Sequence, residues 1–134
     1  MPVVSKELNG HYQIKRRGTR SEYLVRDIFK KHGWVVIRSG GSLGPIDLVC
    51  IKNGTVVLVQ VKSSKASYFY LRDQIPEKIM GFQVLIVADF GRGNIRVIPH
   101  EKKASMQEGV LLNHYLAQIP GSKTPSDTST QNST

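Results

Sequence analysis

A single cysteine, Cys50, stands in a chain of 134 residues. An intramolecular disulfide is therefore impossible, and Cys-rich zinc modules, which need several ligands at short spacing, are excluded. The four histidines, His11, His32, His100 and His114, form no close pair. No apolar run approaches the ~18 residues of a membrane span. The N-terminus MPVVSKELNG has no basic stretch leading into an apolar one, so no secretory signal is expected. Together these absences predict a soluble, intracellular, cytoplasmic protein without a membrane partner. Acidic residues are also scarce: 10 Asp+Glu stand against 19 Lys+Arg, a net charge of +9. A phosphate-rich partner is the economical explanation of that excess, and solubility through charge is the bland one.

What is present divides the chain into three. Residues 1–10 lack periodicity and read as a flexible N-terminus. Residues 11–119 read as one folded domain. Residues 120–134 read as a disordered tail, because the last 14, GSKTPSDTSTQNST, hold eight Ser or Thr and nothing large and apolar to offset the entropy of ordering.

Within the domain, Leu24, Val25, Ile28 and Phe29 repeat at helical spacing, which predicts a helix from Thr19 to His32, capped by Thr19 or Ser21 and ended by Gly33. Trp34–Arg38 is strand-like and runs into the loop Ser39–Gly44. Ile46–Lys52 and Thr55–Lys62 are strand-like runs separated by Asn53-Gly54, the strongest short hairpin signal, since both turn residues must take φ > 0. A short helix limited by Pro76 is expected between Lys62 and Gln83. Two further strands, Gln83–Ala88 and Ile95–Ile98, follow. Residues 100–118 are predicted helical, with Val110, Leu111, Tyr115 and Leu116 as core contacts. The expectation is an α/β fold, a mixed five-stranded β-sheet flanked by α-helices.

The hairpin places chemistry. A two-residue Asn53-Gly54 loop sets Asp47 opposite Gln60, and Lys62 shares their face two residues on. A β-bulge would spoil that register. These polar groups sit among Leu48, Val49, Cys50, Val59 and Val61, where burial costs free energy unless they are paired or bind something. An Asp beside a carboxamide oxygen suits a hard divalent cation, and a lysine can stabilise charge at a phosphate. An Asp–Lys ion pair closing the strand end explains the same residues equally well.

The residues Glu22, Gly41-Ser42, Asp47-Leu48-Val49 and Gln60-Val61-Lys62 resemble the PD-(D/E)XK nucleases, and most closely the archaeal Holliday-junction resolvase family. The resemblance runs from about Arg16 to Pro99, through RRGTRSEYLVRDIFKKHGWVVIRSGGS, IDLV, VVLVQVK and QVLIVADF. It implies a restriction-endonuclease-like sheet with helices on both faces, and a homodimer that nicks opposed strands of a four-way DNA junction with Mg²⁺. Carried over, Glu22, Asp47 and Gln60 would hold the metal, and Lys62 would assist the attacking water. Arg38 and Ser42 would contact the scissile strand, and Arg16, Arg17 and Arg20 would grip the DNA backbone. Gln60 stands where the resolvases carry Glu. That leaves two carboxylates instead of three and implies weaker metal binding, with Mn²⁺ as a substitute. Tyr23 stands where relatives often have a basic residue. The segment between Lys62 and Gln83 is shorter than the resolvases' helical one, which bears on the dimer. Two alternatives remain: a less structure-selective, Mrr-like nuclease, and a catalytically weak DNA-binding module on the same fold.

Several residues carry bland readings beside the sharp ones. Thr19-Arg20-Ser21-Glu22 fits a capping box, a role for Glu22 that needs no metal. Residues 15–31 hold seven Lys/Arg and two acids, a solvated basic face or a phosphate grip. Tyr68, Phe69 and Tyr70 read as core or dimer contacts more readily than as base-stacking rings. Cys50 reads as inert packing. The Gly40-Gly41 loop lacks the Gly-Lys-Ser/Thr of a nucleotide-binding P-loop.

Overall fold

The computed structural model describes residues 19–71, 74–101 and 103–119. The expected flexible N-terminus and tail, and Arg16 and Arg17, lie outside the described residues. Residues 19–31 form helix α1. Its end follows from the sequence. Gly33 takes φ 88°, so its N–H bonds the Lys30 carbonyl at 3.0 Å and the Trp34 N–H bonds the Phe29 carbonyl at 3.1 Å. These are the two bonds of a Schellman motif, and its apolar contact is present too, with the Phe29 and Trp34 rings edge to face at 5.5 Å. Thr19 is already helical, and Ser21 gives its hydroxyl to Asp89 at 2.8 Å, so neither caps the helix start.

Strands β1 (Val35–Leu43), β2 (Ile46–Lys52) and β3 (Thr55–Ser63) run antiparallel. Asn53 and Gly54 take φ of 49° and 78°, as a type I′ turn demands, and Lys52 faces Thr55 with the register continuing to Leu48 opposite Val59. The chain then forms β4 (Tyr68–Tyr70), β5 (Lys78–Ile79), β6 (Phe82–Asp89), β7 (Ile95–Ile98), β8 (Lys103–Ser105) and β9 (Val110–Leu111), and ends in helix α2 (Leu112–Gln118). β6 lies parallel to β3, so the main sheet runs β1-β2-β3-β6-β7-β9, with β5 paired to β6. β4 and β8 make a separate two-stranded ribbon.

The mixed α/β sheet is as expected, but it has seven strands, not five. No helix occurs among the described residues between Lys62 and Gln83: the chain there forms β4 and β5. Residues 100–118 are helical only from Leu112; Leu116 is buried and Tyr115 packs against the core as expected, but Val110 and Leu111 are exposed and Leu112 is buried in their stead. These errors share a cause. The β4 and β8 pairing joins segments more than thirty residues apart, and no local period reports such a partner.

The sheet separates two cores. On one face Val25 and Phe29 of α1 and Leu112 and Leu116 of α2 pack on Leu48, Cys50, Val57, Val59, Leu85 and Val87. On the other, Leu58, Val84, Ile86, Ala88 and Ile98 are covered by Ile75 of the β3–β6 crossover and Ala104 of β8. Both described helices thus cover the same face. The ribbon and crossover take the place of the helices that the resemblance implied on the other.

Candidate active site at the open end of the hairpin

The hairpin ladder is regular from the turn to Leu48 and Val59, and then it parts. The Val61 N–H bonds the Asp47 side chain, to Oδ2 at 2.8 Å. The Ile46 carbonyl accepts the Ser39 hydroxyl. The parting follows from β1. Its pairing with β2 slips between Arg38 and Leu43, where Gly40 and Gly41 take φ of 61° and 87°. This bulge, tied by the Ser42 hydroxyl donating to the Ser39 carbonyl at 2.6 Å, holds Ser39 against β2. Bulges concentrate where a strand must re-aim side chains next to a site. The run expected as a loop is thus a bulged strand end.

Asp47 is half-buried, and desolvation lifts its carboxyl above the ordinary value. The Val61 N–H opposes that rise, the negative charge of Glu22 adds to it, and the positive charges of Lys62 and Arg38 oppose it. Glu22, Arg38 and Lys62, three candidates from the sequence, are therefore within electrostatic reach of one carboxylate. Gln60 is 8% exposed, and its Oε1 has no hydrogen-bond partner. A buried carbonyl oxygen left unpaired costs ~1–3 kcal/mol, and among the described residues it shares that state with Trp34 Nε1 and His100 Nε2. Gln60 and Lys62 line a cleft of about 620 Å³ together with Pro45, Tyr70, Leu71, Gln74 and Ile75. Of those five, only Tyr70 is singled out by the sequence, as a core, dimer-contact or base-stacking ring. Tyr70, Leu71, Gln74 and Ile75 reach the cleft through the unexpected ribbon and crossover, and only Pro45, two residues before Asp47, had a local signal.

Glu22 does not act as a helix cap. Its Oε1 accepts two hydrogen bonds from Arg38, at 3.2 and 3.1 Å, in an ion pair that ties α1 to β1. The Tyr23 ring lies between two guanidinium groups, 4.7 Å from Arg26 and 4.8 Å from Arg38, and its hydroxyl accepts from Arg38 at 3.3 Å. The aromatic residue where relatives are often basic thus fixes a basic group. Arg20 and Ser42 are exposed. Asp89 was not anticipated. It is buried at the end of β6, where it receives the Ser21 hydroxyl and the Gly91 N–H at 2.9 Å, and so locks α1 to the sheet.

The donor set fits a hard divalent cation. Its members, two carboxylates and an orphaned amide oxygen, are all oxygen donors. Among the described residues no three His, Cys, Asp or Glu side chains gather closely enough to hold a metal by themselves. A third oxygen donor in such a set would come from an amide such as that of Gln60.

A helix-borne Glu, an Asp where two strands part, and an amide and a lysine on the next strand define a nuclease-like α/β core. Comparison with known proteins is specific. Residues 13–111 match the family model of the archaeal Holliday junction resolvase (Hjc). The crossover junction endodeoxyribonuclease Hjc of Methanocaldococcus jannaschii is 34% identical over 67 residues, half of this chain and half of that protein. The crystal structure of Archaeoglobus fulgidus Hjc, a Holliday junction resolvase from an archaeal hyperthermophile, superposes with a TM-score of 0.55 and 25% identity, covering 66% of this chain and 84% of that one. The chain belongs to the archaeal Holliday junction resolvase family.

Proposed function

We propose that this protein is a metal-dependent endodeoxyribonuclease that resolves four-way DNA junctions by paired phosphodiester hydrolysis, acting as a homodimer. The observation that carries the reading is the buried, unpaired Gln60 Oε1, which shares a cleft with Lys62, the lysine whose charge acts on Asp47. Asp47, Gln60 and Glu22 would hold Mg²⁺, with Mn²⁺ as substitute. Such an ion supplies Lewis-acid charge to a phosphate oxygen and makes bound water more acidic.

The chain's own groups do the rest. Val61 fixes one Asp47 oxygen and so orients the carboxylate. Lys62, in the cleft, places a positive charge where the attacked phosphate gains negative charge. Arg38 neutralises Glu22 in the free protein and would be free to meet the scissile strand if Glu22 held a metal ion. Arg16, Arg17, Arg20 and Ser42 are assigned to the DNA backbone. Contacts of that kind recognise shape over sequence. Family membership and the net charge of +9 support a DNA substrate.

The test is cleavage of labelled four-way junction, linear duplex and single strand in Mg²⁺ and in Mn²⁺, beside Asp47→Ala. Symmetric nicks confined to the junction and absent from the variant are expected. Cutting of all three substrates would replace this reading with a general nuclease. Tight junction binding without cutting would replace it with a DNA-binding module.

A further inference from the structure

The β4–β8 ribbon carries groups that the hydrolytic chemistry does not use. Tyr70 faces Lys103 and Tyr68 faces Ser105 across the ribbon, so these four share one side, while Ala104 is turned into the core at 0% exposure. Tyr68 and Tyr70 are 40% and 60% exposed. Their rings meet edge to face at 5.5 Å, and the Lys103 ammonium lies 4.7 Å from one ring centre and 5.7 Å from the other. The tyrosines are therefore neither core nor idle surface: they form a pre-assembled aromatic pair with a cation on it.

The pair is also fixed relative to the candidate active site. Tyr70 lines the same cleft as Gln60 and Lys62. The Tyr68 carbonyl accepts the Ser64 hydroxyl at 2.9 Å, and Ser64, two residues past Lys62, bonds the Asp89 carbonyl through its N–H at 3.0 Å. The Met106 N–H bonds the Ser67 carbonyl at 2.6 Å and closes the ribbon's other side. Rings held in this way lose little freedom on stacking.

We propose that the outer side of the β4–β8 ribbon is a nucleobase-stacking platform, on which Tyr68 and Tyr70 hold an unstacked base of branched DNA beside the cleft while Lys103 meets the adjoining phosphate. The inference rests on the junction-nuclease reading and deepens it. Aromatic rings interleaved with a cation suit a splayed single strand, because every base has a π-face and every nucleotide a phosphate. A fully paired duplex exposes no base face to such a platform.

The test uses a four-way junction and a linear duplex, each with 5-iododeoxyuridine at matched positions, bound to the full chain in EDTA and irradiated. A crosslink to the tryptic peptide spanning residues 66–72 is expected with junction and not with duplex. Tyr70→Ala and Tyr68→Ala should each weaken junction binding by roughly five- to hundredfold, whereas Tyr70→Phe should bind within about twofold, because the face and not the hydroxyl stacks. Lys103→Ala should lower the log–log salt slope by about one. Junction binding unchanged in both alanine variants, or crosslinks confined to other peptides, would overturn the platform. So would alanine variants whose only change is dissociation of a dimer in sedimentation, which would make this side a subunit contact. Cleavage of the junction by the parent chain in Mg²⁺ is read separately: a crosslink without cleavage removes the nuclease reading and keeps the platform, and cleavage without a crosslink does the reverse.

Discussion

The two ends of the β2–β3 hairpin are built on opposite principles. At the turn end, Asn53 and Gly54 supply the two left-handed residues that a tight turn needs, and every pair from Lys52 opposite Thr55 to Leu48 opposite Val59 is in register. Local preference, hydrogen bonding and packing agree there. At the open end the ladder stops early, a carboxylate stands in for a backbone carbonyl, and an amide oxygen is buried without a partner. Stability is given up where a cation and a phosphate would be held. The difference teaches that the turn end should answer to folding alone and the open end to function.

The sharpest way to break that contrast is Asp47→Asn. The amide keeps the Val61 bond and the volume, so the fold should persist, while junction cleavage in Mg²⁺ should fall roughly a thousandfold. An active Asp47→Asn would make the open end an ordinary strand terminus. Next comes the opposite case, Phe29→Ala beneath the sheet. Removing this fully buried ring, with its edge-to-face contact to Trp34, should cost ~3–5 kcal/mol in denaturant unfolding. Cleavage per folded molecule should stay within about twofold. Smaller still is Gly54→Ala at the turn. A side chain at φ 78° should cost about 1–2 kcal/mol in the same assay and leave cleavage unchanged.

The smallest effect concerns pH. The Asp47 carboxyl titrates above its ordinary value of 3.8, chiefly because it is desolvated. The folded state therefore holds its proton more tightly than the unfolded chain does. The contribution of this group to stability is fully present below 3.8 and is lost as pH rises through the raised folded-state value. Asp47→Asn removes that loss. The variant should melt above the parent at neutral pH and level with it in acid, and a parent more stable than the variant at neutral pH would contradict the desolvation account. Mg²⁺ should raise the melting temperature of the parent only where Asp47 is ionised, since the ion competes with the proton.

Much of the site was legible because a single local signal fixed it. Asn53-Gly54 sets the register as far as Leu48 opposite Val59, but Asp47 does not pair with Gln60 as expected: the ladder has parted there, and Asp47 takes the Val61 N–H instead. The Schellman end at Gly33 and the inert Cys50, whose thiol burial pushes up to about 12, were equally local. Three features were not. Glu22 was read as a cap or a ligand, and its ion pair with Arg38 depends on how α1 lies on β1, sixteen residues away in the chain. The lock between Ser21 and Asp89 spans sixty-eight residues. For Tyr68 and Tyr70 the chain offers core, dimer contact or base stacking, and only the pairing with distant β8, which leaves them exposed, removes the core reading. Residues placed by a neighbouring turn can be read from the chain, and those placed by a distant strand cannot.

The central claim is that the open end is a metal centre with Gln60 as a donor, and metal titration of the full chain without DNA tests it most directly. Mn²⁺ binding followed by calorimetry on the parent, Asp47→Asn and Gln60→Glu should give affinities in the order Gln60→Glu, parent, Asp47→Asn, with about tenfold or more between neighbours, because each step removes one anionic oxygen donor. Equal binding by the parent and Asp47→Asn would show that the ion sits elsewhere. A Gln60→Glu variant no tighter than the parent would show that the buried amide oxygen is not a ligand.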